Sequence, residues 1–361
     1  MPKAVNNPHQ RWLKLFLLCT CILISGVGLF NCFVDGVGLF RLNKGLKYAA
    51  ANLLNGKMIA GSLGGYDERE LQKLIVEHSP REREMITIGS SRNMLVRKRF
   101  IHGNIDFFNH SMAAASLEDY IAIAGLYRIN GDFPKTVVLG IDPWIFNRNN
   151  GLTPWWTSLS YSYKRMVEEI YGRPIEVDPS QPNRYLQLIN LDYTIENYRF
   201  LRKGKRLYVT DTVQIDDFVR EPDGSIHFPY KLRLKKDERT HPYPLDATPL
   251  GYLNHFESLS GFDLFEDFIR YLKKKGVEVV LLLLPLHPAA YKLCAESRQY
   301  QIVMIIEKDL NDLALRNNIL LIGSYDPGKY KLEGKDFFDD THGHEIVAKK
   351  VWEDFRLTRQ D

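Results

Sequence analysis

The sequence predicts an α/β protein built on a doubly wound parallel sheet, with an apolar helix at the N-terminus and a large insertion. Short apolar strands alternate with amphipathic helices, an uncharged apolar segment precedes them, and the periodicity is lost over residues 145–250. With 361 residues and 45% hydrophobic content, the chain is long enough for a sizeable core. The same composition excludes disorder, collagen and coiled coil.

The apolar segment covers residues 15–34 and carries no charge. At about 1.5 Å per residue its length matches the ~30 Å hydrocarbon layer of a membrane. It is longer than the apolar core of a cleavable signal, and no small-x-small site precedes Asp35. A lipoprotein site at Cys21 is disfavoured because the apolar run continues past it. We interpret residues 15–34 as a transmembrane signal anchor, with a buried core helix as the alternative.

Charged residues flank this segment on both sides in nearly balanced numbers. They are Lys3, Arg11 and Lys14 before it and Asp35, Arg41, Lys44 and Lys47 after it. The positive-inside rule gives a slight preference for a cytoplasmic N-terminus, residues 1–14. We therefore expect a single-pass protein of the cytoplasmic (inner) membrane whose body is periplasmic or extracellular. A body with one thiol, Cys294, suits that compartment.

The predicted elements of the body divide into two halves around the insertion. Residues 35–79 are expected to be a connector, to about Gly65, followed by a first helix. Residues 80–144 and 251–361 form the two halves of the α/β domain. The predicted strands cover residues 85–88, 106–109, 136–141, 277–284 and 319–322. The predicted helices cover residues 68–78, 117–126, 262–275, 297–316 and 344–355.

The insertion, residues 145–250, is expected to lie at the carboxyl edge of the sheet, where open α/β folds bind ligands. A turn is predicted at residues 222–225, between strand-like residues. Trp144, Trp155 and Trp156 are candidates for stacking on sugar rings, or else they cover an edge of the core. The basic run at residues 231–236 is a candidate contact for an anionic polymer or the lipid surface, or else a solvated strand face.

Net charge says little about partners, except that it disfavours one class. The chain has 48 basic against 44 acidic residues, a formal net charge of +4. A nucleic-acid-binding domain is usually far more basic, so we expect no nucleic acid partner.

Ser91 is the first candidate catalytic residue. The first strand of the α/β domain ends in Gly89-Ser90-Ser91, and a serine at such a turn can lie at the sheet edge with backbone N–H groups free to bind an oxyanion. Gly89 permits the sharp bend. Ser90 competes with Ser91 for this role, and either serine could instead cap a helix.

Asp339 and His342 form the second candidate pair. An Asp three residues before a His, on a loop leading into a helix, can approach the imidazole, fix its tautomer and support its positive charge. Asp339 is preferred to Asp340 on spacing. The alternatives are a capping Asp beside an exposed His and an Asp-Asp-His metal site; we expect no metal and no cofactor.

Taken together, Ser91, Asp339 and His342 on a doubly wound sheet resemble the SGNH (GDSL-like) hydrolase superfamily over residues 80–145 and 276–355. The Gly-Ser-Ser-Arg form, the anchor and residues 140–146 look most like its envelope branch, which includes DltD-type and alginate O-acetylation proteins. The resemblance implies a flavodoxin-like three-layer fold, with Ser91 as nucleophile, His342 as general base and Asp339 as its orienting partner.

The sequence departs from the family pattern around the oxyanion hole. The usual Gly-Asp-Ser is Gly-Ser-Ser, the second-block glycine is not obvious in residues 109–116, and the third-block Gly-x-Asn-Asp appears as residues 140–143. An anionic Asp142 would repel an oxyanion. Asn109 is a possible replacement donor, or else it caps a turn. His287 could line the pocket, or else it is a turn histidine between prolines.

Two functions follow from the resemblance. The first is a serine esterase or O-acyltransferase acting on acyl esters, by analogy acetyl esters, of an envelope polysaccharide, next to a membrane-bound O-acyltransferase. The second is a catalytically silent assembly or polysaccharide-binding protein that partners such an acyltransferase. The retained triad residues favour an enzyme, whereas Asp142 favours the silent protein.

Overall fold

The computed structural model describes residues 8–35, 40, 44–61, 66–79, 83–152, 158–175, 184–203, 207–241, 249–253 and 256–358. Its helices are α1 (Pro8–Val34), α2 (Lys44–Leu54), α3 (Glu68–His78), α4 (Leu117–Asn130), α5 (Ser160–Tyr171), α6 (Leu191–Lys203), α7 (Tyr230–Arg233), α8 (Phe262–Lys274), α9 (Pro288–Glu296), α10 (Ile302–Asn317) and α11 (Glu345–Thr358). Its strands are β1 (Met58–Gly61), β2 (Met85–Ile88), β3 (Phe107–Asn109), β4 (Thr136–Gly140), β5 (Leu207–Thr210), β6 (Phe218–Arg220), β7 (Ile226–His227), β8 (Glu278–Leu283) and β9 (Leu320–Gly323).

A five-stranded parallel sheet forms the centre of the body, in the order β3-β2-β4-β8-β9. All four neighbouring pairs are parallel, so every strand ends at the same edge. β2 and β4 are buried along their whole length, as expected for strands covered on both faces. The five predicted strands are confirmed to within two residues, and the chain is an α/β protein.

Alternate residues of these strands enter two separate hydrophobic cores. On one face, Ile86, Val137 and Leu281 pack with residues of α4, α8 and α10. On the other face, Met85 and Val280 pack with residues of α11. This alternation follows from the two-residue period of a strand. The carboxyl ends of the strands are left as an edge between the two layers.

A second, antiparallel sheet has the order β5-β1-β6-β7. Its strand β1 lies within the predicted connector, between β5 and β6 of the predicted insertion. The expectation of a plain connector up to Gly65 is therefore wrong, because α2 and β1 are ordered parts of this unit. Residues 145–250 likewise do not form a separate unit, since their strands β5 and β6 both pair with β1, and β7 pairs with β6.

The turn predicted at residues 222–225 does join two paired strands, β6 and β7. It reaches the parallel sheet, where the backbone N–H of Asn109 donates to the carbonyl of Asp223 at 2.7 Å. Arg220 and Glu68, both buried, form an ion pair of 2.8 Å between β6 and α3. Burial raises the pKa of Glu68, and Arg220 opposes that rise. The basic run at residues 231–236 begins in the short helix α7, so the strand alternative for it is wrong.

The N-terminal helix α1 is 27 residues long and apolar enough to span a membrane. It begins seven residues before the predicted span and ends with it at Val34. Its central apolar side chains do not enter the body: Leu23, for example, is 69% exposed.

Candidate active site

Ser91 begins a 3₁₀ turn, Ser91–Leu95, just after β2. The side chain of the preceding Ser90 is buried, and its Oγ accepts a hydrogen bond from the backbone N–H of Arg92 at 3.2 Å. Ser90 is therefore the residue that caps the turn. The hydroxyl of Ser91, and not that of Ser90, is the one within hydrogen-bond distance of His342.

His342 lies within hydrogen-bond distance of Ser91, although 251 residues separate them. The distance from Ser91 Oγ to His342 Nε2 is 2.7 Å. His342 Nδ1 lies 3.0 Å from Asp339 Oδ2 and 3.1 Å from Oδ1. When Nδ1 carries the proton, it donates a hydrogen bond to Asp339, and Nε2 can accept a hydrogen bond from the hydroxyl of Ser91. The three side chains thus form one continuous hydrogen-bonded chain.

The loop that carries Asp339 also holds its carboxylate in place. Backbone N–H groups of Thr341 and His342 donate to Asp339 Oδ1 at 2.9 and 2.8 Å. Burial by itself raises the pKa of Asp339, but the charge and hydrogen bond of His342 and the two backbone donors outweigh it, so the pKa lies well below the ordinary range. Asp339 is therefore ionised at neutral pH, as a partner of an imidazolium must be.

Asp340 has a different role from that of its neighbour. Its side chain is fully buried and pairs with Arg239, at 3.0 Å between Oδ1 and Nη2. A metal held jointly by Asp339, Asp340 and His342 would have to break this pair. Within the described residues, no group of three or more His, Cys, Asp or Glu side chains is arranged to hold a metal ion.

Arg92, directly after the serine, is buried and connects several loops at the carboxyl edge. Its Nε donates to the carbonyl of Thr341 at 2.9 Å, beside His342. Its Nη2 donates to the carbonyls of Leu284 and Pro285, which follow β8. Its Nη1 pairs with Asp142, after β4, at 2.6 Å. The side chain of Arg92 therefore connects the Ser91 turn to the His342 loop and to the ends of β4 and β8.

This pairing changes the expected effect of Asp142. The carboxylate is buried and neutralised by Arg92, so it is the counter-ion of a structural arginine and not an exposed negative charge. Trp144, two residues further on, has its ring 5.8 Å from the same guanidinium and is only 2% exposed. The expectation that Trp144 stacks on sugars is wrong, because its ring is not at the surface. Trp155 and Trp156 lie outside the described residues.

Gly89 and Gly140 pack on either side of Asn93, behind the Ser91 turn. Asn93 Nδ2 donates to the hydroxyls of Thr87 and Ser111 at 2.7 and 2.9 Å. A Cβ at Gly89 would lie 2.6 Å from Asn93 Cβ, and one at Gly140 would lie 2.5 Å from Asn93 Cγ. Close approach of the Asn93 side chain, and not a left-handed backbone, is therefore what requires glycine at these two strand ends.

Asn109 is not available as an oxyanion donor. Its Nδ2 donates to the carbonyls of Asn93 and Val96, both at 2.9 Å, and its Oδ1 accepts from the backbone N–H of Ser111. The side chain is fully buried. Asn109 thus fastens the Ser91 turn to the end of β3, and its expected role as a substitute donor is wrong.

His287 is also a structural residue and does not line a pocket. It is fully buried and caps α9, with Nδ1 accepting from the backbone N–H of Ala289 at 3.1 Å. Its Nε2 lies 3.4 Å from the carbonyl of Asp237. The turn-histidine alternative describes it correctly.

Backbone donors for an oxyanion are few at this edge. The N–H groups of Ser111 and Met112, where the second-block donor would be, already bind Asn109 Oδ1 and the carbonyl of Gly89. In the described ranges, the backbone N–H of Ser91, the first residue of the turn, has no hydrogen-bond acceptor. It is therefore a candidate donor for an oxyanion.

No protein-family model matches this chain. No curated protein is significantly similar to it. The assignment of a function therefore rests on the geometry of the residues themselves.

Proposed function

We propose that this protein is a membrane-anchored, SGNH-like serine esterase or O-acyltransferase that acts on acyl esters of a cell-envelope polysaccharide. The observation that carries the proposal is the hydrogen-bonded chain of Ser91, His342 and Asp339 at the carboxyl edge of a parallel sheet. The chain places β3 on one side of β2 and then β4 on the other, and this switch in strand order supports a doubly wound SGNH-like fold. Ligands of such folds bind at the switch point.

The reaction begins when Ser91 Oγ attacks the carbonyl carbon of the ester while His342 Nε2 takes the hydroxyl proton. Negative charge develops on the carbonyl oxygen, where the N–H of Ser91 stabilises it. The tetrahedral intermediate then expels the alcohol, which receives the proton from His342. An acyl ester remains on Ser91. Asp339 stays ionised throughout and stabilises the imidazolium.

A second nucleophile resolves this acyl-enzyme. Water releases a free acid, so the protein acts as an esterase; a sugar hydroxyl receives the acyl group, so it acts as a transferase. In either case His342 takes the proton of the nucleophile and returns it to Ser91 Oγ. Acetyl is the acyl group that the resemblance favours.

The apolar helix α1 supports a location at the cytoplasmic membrane, with the body on the outer side. This location would place the site beside envelope polymers and beside a membrane-bound O-acyltransferase, the partner that we propose. The chain would then receive or remove acyl groups where such an enzyme delivers them.

Hydrolysis of p-nitrophenyl acetate by the full-length chain in detergent tests the proposal. We expect activity in the wild type and a loss of about 10⁶-fold in kcat for Ser91→Ala or His342→Ala, since triad members act as a unit. Ser90→Ala, the matched control, keeps most of the activity, because the hydroxyl of Ser90 caps the turn and takes no part in the proposed reaction. Hydrolysis that is equal in all four proteins would contradict the proposal.

A catalytically silent assembly or polysaccharide-binding protein is the second candidate. The observation in its favour is the oxyanion site, where Asn109, Ser111 and Met112 have already used their donors. This candidate predicts that the wild type binds an O-acetylated polysaccharide and that Ser91→Ala binds it equally well, with no hydrolysis by either. Equilibrium binding and product release, measured on the same samples, distinguish the two functions.

A further inference from the structure

The outer end of α1 packs against α6 and the 3₁₀ segment that precedes it, Arg184–Ile189. The contact is built on polar side chains. Asn31 of α1 is fully buried and donates to Thr194 Oγ1 and to the carbonyl of Leu188, both at 2.8 Å. Its Oδ1 accepts from Asn197 Nδ2 at 3.0 Å. The inner face of α6 is therefore polar and satisfied by α1.

A second polar contact continues this interface just beyond the end of α1. The hydroxyl of Tyr193 donates to Asp35 Oδ1 at 2.6 Å, and the backbone N–H of Phe40 donates to the other carboxylate oxygen at 3.0 Å. Tyr193 and Asp35 are both buried. The position of α6 relative to α1 is thus specified by hydrogen bonds on two successive turns.

The outer side of the same unit exposes many apolar side chains, next to the charged residues Asp192 and Arg199. The large hydrophobic side chains that are exposed in this unit are Tyr185, Leu186, Ile189, Leu191, Ile195, Tyr198 and Leu201. Leu191 is 72% exposed, whereas Asn197 on the opposite side is fully buried. A surface helix of a water-soluble protein has the reverse pattern, with apolar residues inside and polar residues outside. Contiguous apolar surface of this kind marks a protein or membrane contact.

The position of this exposed face along α1 indicates whether it contacts a protein or a membrane. Residues 21–26 of α1 are exposed, whereas Val27, Gly28 and Phe30 are partly covered and Asn31 is buried. The covered part, up to Asp35, is about 13 Å long at ~1.5 Å per residue. It is the outer part of a span that crosses ~30 Å of hydrocarbon. The apolar face of α6 therefore lies level with the outer leaflet if α1 spans the membrane.

We propose that the segment from Tyr185 to Arg202 is a second membrane-contacting element, whose apolar face lies in the outer interface of a phospholipid bilayer beside α1. The inference rests on the proposed span of α1 but not on the proposed catalysis. The exposed face of α6 continues the lipid-facing surface of α1, where Leu29 and Phe33 are also exposed. Tyrosines such as Tyr198 are typical of the interface, and Arg202 is exposed at the end of the helix, where it can reach headgroup phosphates.

Two elements hold a body more firmly than one. A single α1 would let the body rotate and tilt about the end of the helix, whereas a docked interfacial helix gives it a defined orientation. The carboxyl edge of the parallel sheet would then face the envelope at a fixed height.

Site-directed spin labelling of the full-length chain in phosphatidylcholine–phosphatidylglycerol vesicles tests this inference. The background carries Cys19→Ala, Cys21→Ala and Cys32→Ala and keeps the buried Cys294. Labels are placed one at a time by Leu191→Cys, Ile195→Cys and Tyr198→Cys. Leu23→Cys, in the middle of α1, is the lipid control, and Leu315→Cys, 80% exposed on α10, is the matched water control.

We expect the ratio of oxygen to nickel-chelate accessibility at positions 191, 195 and 198 to exceed the ratio at position 315 several-fold, and to lie below that at position 23. Ratios equal to that at 315, with a lipid-like value at 23, would overturn the inference and leave the anchor intact. A water-like value at 23 as well would overturn both. Labels that are immobilised and broadened by a neighbouring label would show a second copy on this face, which also overturns lipid contact.

Discussion

The carboxyl edge of the parallel sheet and the outer end of α1 both bury polar side chains, but in opposite surroundings. At the sheet edge, Arg92 and Asp142 are buried where the parallel strands end, and all three guanidinium nitrogens of Arg92 donate to an acceptor. At α1, Asn31 and Asn197 lie between two helices whose outer faces are apolar. The same rule applies in both places, since buried polar groups must be paired.

The difference between the two regions is what surrounds the polar pairs. Around the sheet edge, the pairs hold the loop that carries Asp339 and His342 in one geometry, so their loss changes the position of Ser91 and His342. Around α1, the pairs hold two helices together, and the lipid that we propose around them would not compete for their hydrogen bonds. Variants in the first region should affect rate and stability strongly, and variants in the second should affect mainly docking.

Among the variants that compare the two regions, Asp339→Asn should have the largest effect, and that effect is on the rate. The amide cannot support the imidazolium or fix the tautomer of His342, so we expect kcat to fall by about 10⁴-fold. Ester hydrolysis by purified protein measures this change. A fall of less than tenfold would show that Asp339 does not orient His342.

The effect of the same variant on the free energy of unfolding should depend on pH. Because the folded protein holds the pKa of Asp339 below its ordinary value, the ionised carboxylate stabilises the fold above pH ~4 and loses this effect as the pH falls further. The difference in free energy of unfolding between the wild type and Asp339→Asn should therefore be larger at pH 6 than at pH 3.

Arg92→Leu tests the clamp at the sheet edge. It leaves Asp142 buried without its counter-ion and three loop carbonyls without their donor, so we expect a loss of about 3–5 kcal/mol in the free energy of unfolding. The double variant Arg92→Leu/Asp142→Leu should recover part of it. Urea denaturation measures both. A loss near the ~0–1 kcal/mol of a surface ion pair would contradict a buried clamp.

Gly140→Ala and Gly26→Ala together test how well the sheet edge and α1 each accommodate an added methyl group. A Cβ at this position meets Asn93, so overpacking should cost about 1–3 kcal/mol and slow the reaction by displacing the Ser91 turn. Gly26→Ala, in α1 with nothing within 4 Å, is the matched control and should leave both quantities unchanged. Equal effects of the two substitutions on unfolding would show that Asn93 moves freely.

Asn31→Ala should have the smallest effect on the rate of hydrolysis. It removes hydrogen bonds between α1 and α6, each of which is worth about 0.6–2 kcal/mol between helices in a membrane. Unfolding of the full-length chain in mixed micelles measures the change, and hydrolysis should remain as in the wild type. Asn130→Ala, at the exposed end of α4, is the control and should shift stability by less than ~0.5 kcal/mol. A stabilised Asn31→Ala protein would mean that α6 does not dock there.

Much of the parallel sheet could be predicted because its strands are continuous apolar runs ended by Gly or Pro. The pair Asp339 and His342 was predicted from its spacing, its combination with Ser91 from the resemblance to the SGNH superfamily, and the structure brings all three together. By contrast β1, the short segment Met58–Gly61, was missed because four small or apolar residues carry no period. Its partners lie about 150 residues away, and local sequence does not encode such pairing.

The role of Arg92 was missed although a signal was present. Arg92 follows the serine directly, and Asp142 stands at the end of a neighbouring strand, so two opposite charges were expected at one sheet edge. Considering them as a pair would have predicted the clamp and removed the objection to Asp142. The helix α9 was also missed, although His287-Pro288 offers an N-cap followed by a proline in the first turn.

Reaction with a fluorophosphonate tests the central claim most directly, because this reagent forms a bond to an activated serine oxygen, loses fluoride and needs no natural acyl donor. We predict one covalent adduct on the full-length chain, located at Ser91 by peptide mass spectrometry. It should be absent in Ser91→Ala, strongly slowed in His342→Ala and retained in Ser90→Ala. An unlabelled wild type, or labelling that His342→Ala leaves unchanged, would contradict an activated nucleophile at Ser91.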